Sequence, residues 1–104
     1  MMNKINIAND YSRYPSGRFK KNGNSSGQGF REALLIPAIK EGEVEIELDG
    51  TIGYGSSFLE EAFGGLVREL KISGDKLLKQ IKLTSEDDSL IKEIEDYMLQ
   101  AKSK

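Results

Sequence analysis

The chain of 104 residues has no cysteine, which excludes disulfides, thiolate nucleophiles and zinc sites built on sulfur. Histidine is absent as well. With it go the usual general base near neutral pH, the commonest transition-metal ligand and every Ser-His or Cys-His nucleophile. Long apolar runs are also missing. No window approaches the roughly 18 residues of a membrane span, and Met-Met-Asn-Lys-Ile-Asn lacks the apolar core of a signal peptide. A cytoplasmic protein with no membrane contact is expected. Neither charge sign dominates, since 15 Lys and Arg stand against 17 Asp and Glu, a net charge of -2. Nucleic acid or anionic lipid would therefore have to find a local patch.

What is present is an ordinary globular composition, 31% charged and 38% hydrophobic, which suits a single domain over residues 1–104. Lys4-Ile5-Asn6-Ile7-Ala8 alternates and predicts a first strand with Ile5 and Ile7 on one side. Residues 9–29 break the pattern with Pro15, Gly17, Gly23, Gly27 and Gly29 among Asn and Ser. They predict a long loop or short hairpin, of a size that often carries function. Ser25 or Ser26 then caps a helix bearing Phe30, Ala33, Leu34 and Ile36, which Pro37 should kink or shorten.

Residues 43–49 alternate acidic and apolar side chains without a break, the clearest strand signal in the chain. Parallel sheets covered on both faces show continuous apolar runs, so this alternation predicts helices on one face only. The carboxylates of Glu43, Glu45, Glu47 and Asp49 form a flat row that cannot wrap a metal ion without loop ligands. Lys4 and Lys82 on neighbouring strands are their expected counterparts. No metal or cofactor is predicted.

After Gly50-Thr51-Ile52-Gly53-Tyr54-Gly55 comes a helix with Phe58, Leu59, Ala62, Phe63, Leu66, Val67 and Leu70 on one stripe. Ser57-Phe58-Leu59-Glu60 fits a capping box and predicts Ser57 as its N-cap. Residues 72–75 close the unit, and residues 77–83 predict a third strand with Ile81 and Leu83 pointing inward. Ser85-Glu86-Asp87-Asp88 opens a last helix carrying Leu90, Ile91, Ile94, Tyr97 and Met98, with the tail Lys102-Ser103-Lys104 complementing its C-terminus. The order is βαβαβα. Right-handed crossovers between strands ordered 1-2-3 give a mostly parallel α/β sheet of three to four strands with all helices on one face.

The segment from Val44 to Gly64 resembles the core motif of the bacterial STAS-like domain family of unknown function. Ser57, Phe58, Glu60, Glu61, Phe63 and Gly64 fill the places of that family's Ser-Phe-x-Asp/Glu-Glu-x-Phe-Gly string. The domain is more distantly similar to anti-sigma factor antagonists, whose turn reads Asp-Ser-Ser-Gly-Leu and whose second Ser is phosphorylated by a partner kinase. Gly55-Ser56-Ser57-Phe58-Leu59 keeps the Ser pair and the Leu, with Gly55 in place of the Asp and Phe58 in place of the Gly. The resemblance implies a regulatory module that docks a histidine-kinase-like ATPase, with Ser57 as the phosphosite. A phosphate there would meet free amides and the positive end of a helix dipole, while Glu60 and Glu61 in the same turn would repel it.

Gly64-Gly65 adds an observation independent of family. Counting 100° per residue from Phe58 places Gly64 on the wet side, where glycine costs about 1 kcal/mol relative to Ala. Either the helix tolerates that cost or another backbone approaches there. A partner would then meet Ser56, Ser57, Glu60, Glu61, Gly64 and Arg68. Gly53-Tyr54-Gly55-Ser56-Ser57-Phe58 begins like a dinucleotide fingerprint but has Phe58 for its third glycine, and no P-loop string occurs. Acid-base chemistry would have to rest on Glu60, Glu61 and Tyr54, so a non-enzymatic protein-interaction module is expected. The alternative is a nucleic-acid-binding accessory domain. Its loop, residues 11–21, mixes aromatics with Arg13, Arg18, Lys20 and Lys21 as backbone-gripping chains do.

Overall fold

Three short parallel strands lie side by side in a computed structural model that describes residues 3–101: β1 (Asn3–Asn6), β2 (Val44–Glu47) and β3 (Ile81–Thr84), in the order β1-β2-β3. Ile5, Ile46 and Leu83 are in register across the sheet, and so are Lys4, Glu45 and Lys82. Because side chains alternate along a strand, Val44, Ile46 and Leu48 enter the core while Glu45 faces outward between the two lysines. Glu45 stands opposite Lys4 and Lys82 as expected, but its hydrogen bond comes from the Thr84 hydroxyl at 3.2 Å. The outer face of the sheet is polar and the helices pack on the other.

The first strand is shorter than its alternation suggests. Asn6 accepts from the Asn9 amide and starts a single helical turn, α1 (Ile7–Asp10), which still buries Ile7. The loop that follows therefore covers residues 11–26, less than the expected 9–29. Ser26 ends it as the N-cap of helix α2, its hydroxyl accepting from the Gly29 amide at 3.0 Å. Helix α2 runs through residues 27–41 in three pieces: α-helical Gly27–Phe30, a π-helical turn Arg31–Leu35, and α-helical Ile36–Glu41. Pro37 does not shorten it. In the π turn the Ile36 amide already bonds five residues back to Arg31, so the missing proline N–H falls where the ladder has changed register. The wide turn also shifts the buried stripe. Phe30 and Ile36 are buried as expected, but so are Leu35, Ala38 and Ile39, while Leu34 is half-buried and Ala33 exposed.

Helix α3 spans residues 56–70 with the same construction: Ser56–Leu59, a π turn Glu60–Gly64, and Gly65–Leu70. Its predicted stripe is buried from Phe58 to Val67, and Leu70 is partly buried. Phe30 and Phe58 lie 5.9 Å apart between ring centroids, Phe30 and Phe63 6.1 Å, and these rings fill the centre of the helical layer.

The predicted third strand is half helix. Ser73 accepts from the Lys76 amide and starts α4 (Gly74–Gln80), so residues 77–80 are helical and β3 begins only at Ile81. The cap Ser73 and the first-turn acid Asp75 outweigh the apolar run that reads as a strand. Helix α5 (Asp88–Gln100) starts where expected, with Asp87 accepting from the amides of Ser89 and Leu90, and buries Ile94 and Met98. The tail Lys102-Ser103-Lys104 and the opening Met1-Met2 lie outside the described residues. No described helix is long and apolar enough to cross a membrane.

Candidate functional site

Strand β2 delivers the chain to a turn, residues 48–55, at the carboxyl end of the sheet, where open α/β folds place their ligands. The turn is braced from below. Leu48 donates from its amide to Thr84, and its carbonyl accepts from the Tyr54 hydroxyl at 2.6 Å. Asp49 accepts from the Ser85 hydroxyl at 2.7 Å and the Glu86 amide at 2.9 Å, tying the turn to the β3–α5 connection. Gly50 and Gly53 supply positive φ values of 104° and 140° that other residues rarely adopt. Tyr54 is a pillar: burial pushes its phenol up to about 12, so it holds its proton and its hydrogen bond.

So braced, the turn holds Ile52 outward at 78% exposure. The Ile52 amide donates to Arg13, which brings Tyr14, 61% exposed, alongside. Between them is a hollow of about 340 Å³ lined by Tyr14, Pro15, Ser16, Ile52, Gly53 and Tyr54. Ile52, on this braced turn, is the most exposed large apolar side chain among the described residues.

The turn ends at Gly55, which is itself the N-cap of α3 and offers no side-chain hydrogen bond. Ser57 is therefore not the cap. It lies in the first turn and is exposed, as is Ser56. The capping box fails because the Glu60 carboxylate is drawn to guanidinium groups instead, a stronger charge-assisted bond. Ser56 lies beside Tyr97, whose hydroxyl donates to Glu93 at 2.8 Å, and that bond raises the Tyr97 phenol above its ordinary range.

Three arginines converge on Glu60 and Glu61. Arg68 donates to Glu60 at 2.6 and 3.2 Å, and Arg18 donates to Glu60 at 2.5 Å and to Glu61 at 3.2 Å. Arg31 donates to the Glu61 carboxylate at 2.9 Å, to the Glu61 main-chain carbonyl, and through Nε to Glu69 at 2.9 Å. The Arg31 and Glu61 side chains are only 8% and 11% exposed, and they join the π turns of α2 and α3. Hydrogen bonding from Arg68, with a further share from Arg18, holds the Glu60 carboxyl below its usual range. Each arginine's own bond to Glu60 raises the Arg18 and Arg68 guanidinium groups in turn.

Side chains of this network occupy the space beside Gly64 and Gly65. A Cβ on Gly64 would stand 2.6 Å from the Glu60 carboxylate, and one on Gly65 would strike the Arg31 guanidinium. Both glycines are buried, and Gly64 does not face water. The π turn adds a residue to the helix and so shifts the 100° count on which the wet placement rested. Of the residues expected to meet a partner, Ser56 and Ser57 are exposed and Glu60 and Arg68 half-buried, whereas Glu61 and Gly64 are buried.

The basic loop is similarly engaged. Arg18 is held by the two carboxylates and Lys20 pairs with Glu32 at 2.6 Å. Arg13 and Lys21 are exposed, with Lys21 over the Phe19 ring at 5.8 Å. Tyr11 packs on Phe30 at 5.4 Å and donates to the Ser26 carbonyl, sealing the core edge rather than offering a stacking surface. With two of the four cations matched by carboxylates, a nucleic-acid groove is not favoured. No local pattern marks Glu69 or Ile52 as a site residue, but Arg31 stands four residues from both Gly27 and Leu35, on the buried stripe.

A family model described as a STAS-like domain of unknown function matches residues 26–90. The chain belongs to that family. The STAS-like match begins at the Ser26 cap and ends in the first turn of α5. It contains the braced turn, both serines, Arg31 and the three glutamates, while Arg18 and its loop precede it. No curated protein and no solved structure matches the chain.

Proposed function

We propose that this STAS-like domain is a non-enzymatic interaction module that docks a partner protein through residues 50–57 and the start of α3. The observation that carries it is Ile52, exposed at 78% on a turn that four hydrogen bonds brace, with three residues between it and two exposed serines. A preorganised apolar anchor loses little freedom on binding, which is what makes such a group effective at an interface. The acid-base candidates are engaged elsewhere: Glu60 and Glu61 by arginines, Tyr54 by Leu48.

The partner indicated by the resemblance to anti-sigma factor antagonists is a histidine-kinase-like ATPase, with Ser57 as its phosphosite. Two observations support Ser57. Glu60 and Glu61 are matched by guanidinium groups, so their repulsion of a phosphate is weakened. Ser56 lies beside the Tyr97 hydroxyl, which leaves Ser57 the freer of the two. In capture assays with purified ATPases of this class, Ile52→Asp should abolish binding and Ser57→Asp should weaken it. Full capture by both variants sinks the surface.

A further inference from the structure

Gly17 and Arg18 perform two tasks at once. Their carbonyls accept from the amides of Gly27 and Gln28, both at 3.0 Å, and so satisfy the first amides of α2. The Arg18 side chain meanwhile crosses to α3 and closes over Glu60 and Glu61. The rest of the segment is held by polar contacts near the surface. Ser16 donates to Ser25 at 3.0 Å, the hydroxyls of Ser12 and Ser25 lie 2.9 Å apart, and Lys20 pairs with Glu32 through side chains 60% and 35% exposed. Phe19 is exposed, and the apolar anchors, Tyr11 and Pro15, lie before the segment.

We propose that residues 16–20 form a displaceable strap, an autoinhibitory contact that closes the Glu60–Arg68 side of α3 until a cationic side chain of the docking partner replaces Arg18 on the two carboxylates. The trigger rests on the docking function proposed above, but the opening belongs to the chain alone. Three features make opening local and inexpensive. The Arg18–Glu60 pair, with side chains 36% and 25% exposed, is screened by water and contributes little. Release of Arg18 lets water reach Arg31 and Glu61, whose dehydration opposes the closed state. Glu60 keeps Arg68, and Glu61 keeps Arg31, so α3 retains its own pairs when the strap lifts. The partner's contribution is then a basic residue in addition to the apolar contact on Ile52.

Amide hydrogen exchange on the full chain without partner tests this. The Gly27 and Gln28 amides, whose acceptors are in the strap, should exchange well before those of Ile46 and Ile94. Arg18→Gln should speed these two by roughly threefold to tenfold, the effect of losing a partly exposed charge pair, and leave the core amides unchanged. Added salt should do the same to the wild type and little to Arg18→Gln. Arginine amide, offered as the competing cation, should accelerate the wild-type pair beyond an equal concentration of sodium chloride. Rates for Gly27 and Gln28 that ignore both the variant and salt, or that rise only together with the core, overturn the strap. Failure of the docking function would look different: Ile52→Asp would leave capture intact while these rates still respond.

Discussion

The two long helices begin in opposite ways. At the start of α2 every early amide has a partner within the chain: Gly27 and Gln28 on the strap carbonyls, Gly29 on the buried Ser26 hydroxyl. At the start of α3 the cap is a glycine, no side chain turns back, and Gly55, Ser56 and Ser57 are all in solvent. Both starts carry a Ser-Ser pair. At the first the second serine is structural, because an adjacent loop buries it; at the second neither serine is, because the turn beneath is braced by other groups. A helix start that the chain completes for itself serves the fold, and one left incomplete is free to serve a partner.

The contrast is sharpest at glycine. A Cβ on Gly27 would lie 2.5 Å from the Phe58 carbonyl and 3.0 Å from the Ala62 amide, both backbone, whereas one on Gly55 meets nothing within 4 Å. Gly27→Ala should destabilise by about 3 kcal/mol and Gly55→Ala by less than about 0.5 kcal/mol, read from urea unfolding. Similar losses at both would break the comparison.

Serine comes next. Ser26→Ala should cost about 1 kcal/mol as a lost cap, while Ser57→Ala should stay within about 0.5 kcal/mol. Thermal midpoints of the two variants decide it; equal shifts would mean that Ser57 caps after all.

Each start also rests on a tyrosine hydroxyl bonded to a main-chain carbonyl, Tyr11 to Ser26 and Tyr54 to Leu48. The Tyr54 phenol is raised from 10.0 to about 12, chiefly by burial. Its stabilisation is whole below the unfolded value and is lost as pH rises from 10.0 towards about 12. Tyr54→Phe should remove that share of the alkaline loss, at about 1 kcal/mol near neutrality for the missing bond. An alkaline unfolding profile that keeps its wild-type slope in the variant contradicts this.

The smallest effect is also the most diagnostic. Gly55→Asp should supply the missing cap and add a few tenths of a kcal/mol, yet lower capture of the partner, because it closes the open end. A variant both steadier and fully competent would show that the bare cap is incidental.

Much of this was legible in the sequence, for reasons of period. The acid-apolar alternation of residues 43–49 reports a half-buried strand directly, and the stripe from Phe58 to Val67 is dense enough to survive a π turn. The failures share a cause. Leu77 and Leu78 fit either period, and the cap Ser73 that decides between them looks like part of a preceding turn. Gly64 was misplaced because one extra residue in the helix changes the phase of everything after it. Arg18 and Glu60 are 42 residues apart, and no local pattern announces a pair at that separation. Ile52 sits among turn residues where a single apolar side chain has no period at all.

The facing π turns carry a consequence for how such chains vary. Each holds one residue more than a regular helix of the same height, so a single deletion would heal the helix rather than break it. It would also rotate Arg31 or Glu61 by a fraction of a turn and uncouple the pair that joins the two helices. Single deletions at residues 31–35 and 60–64 should therefore be matched between the two helices wherever the Arg31–Glu61 pairing is retained.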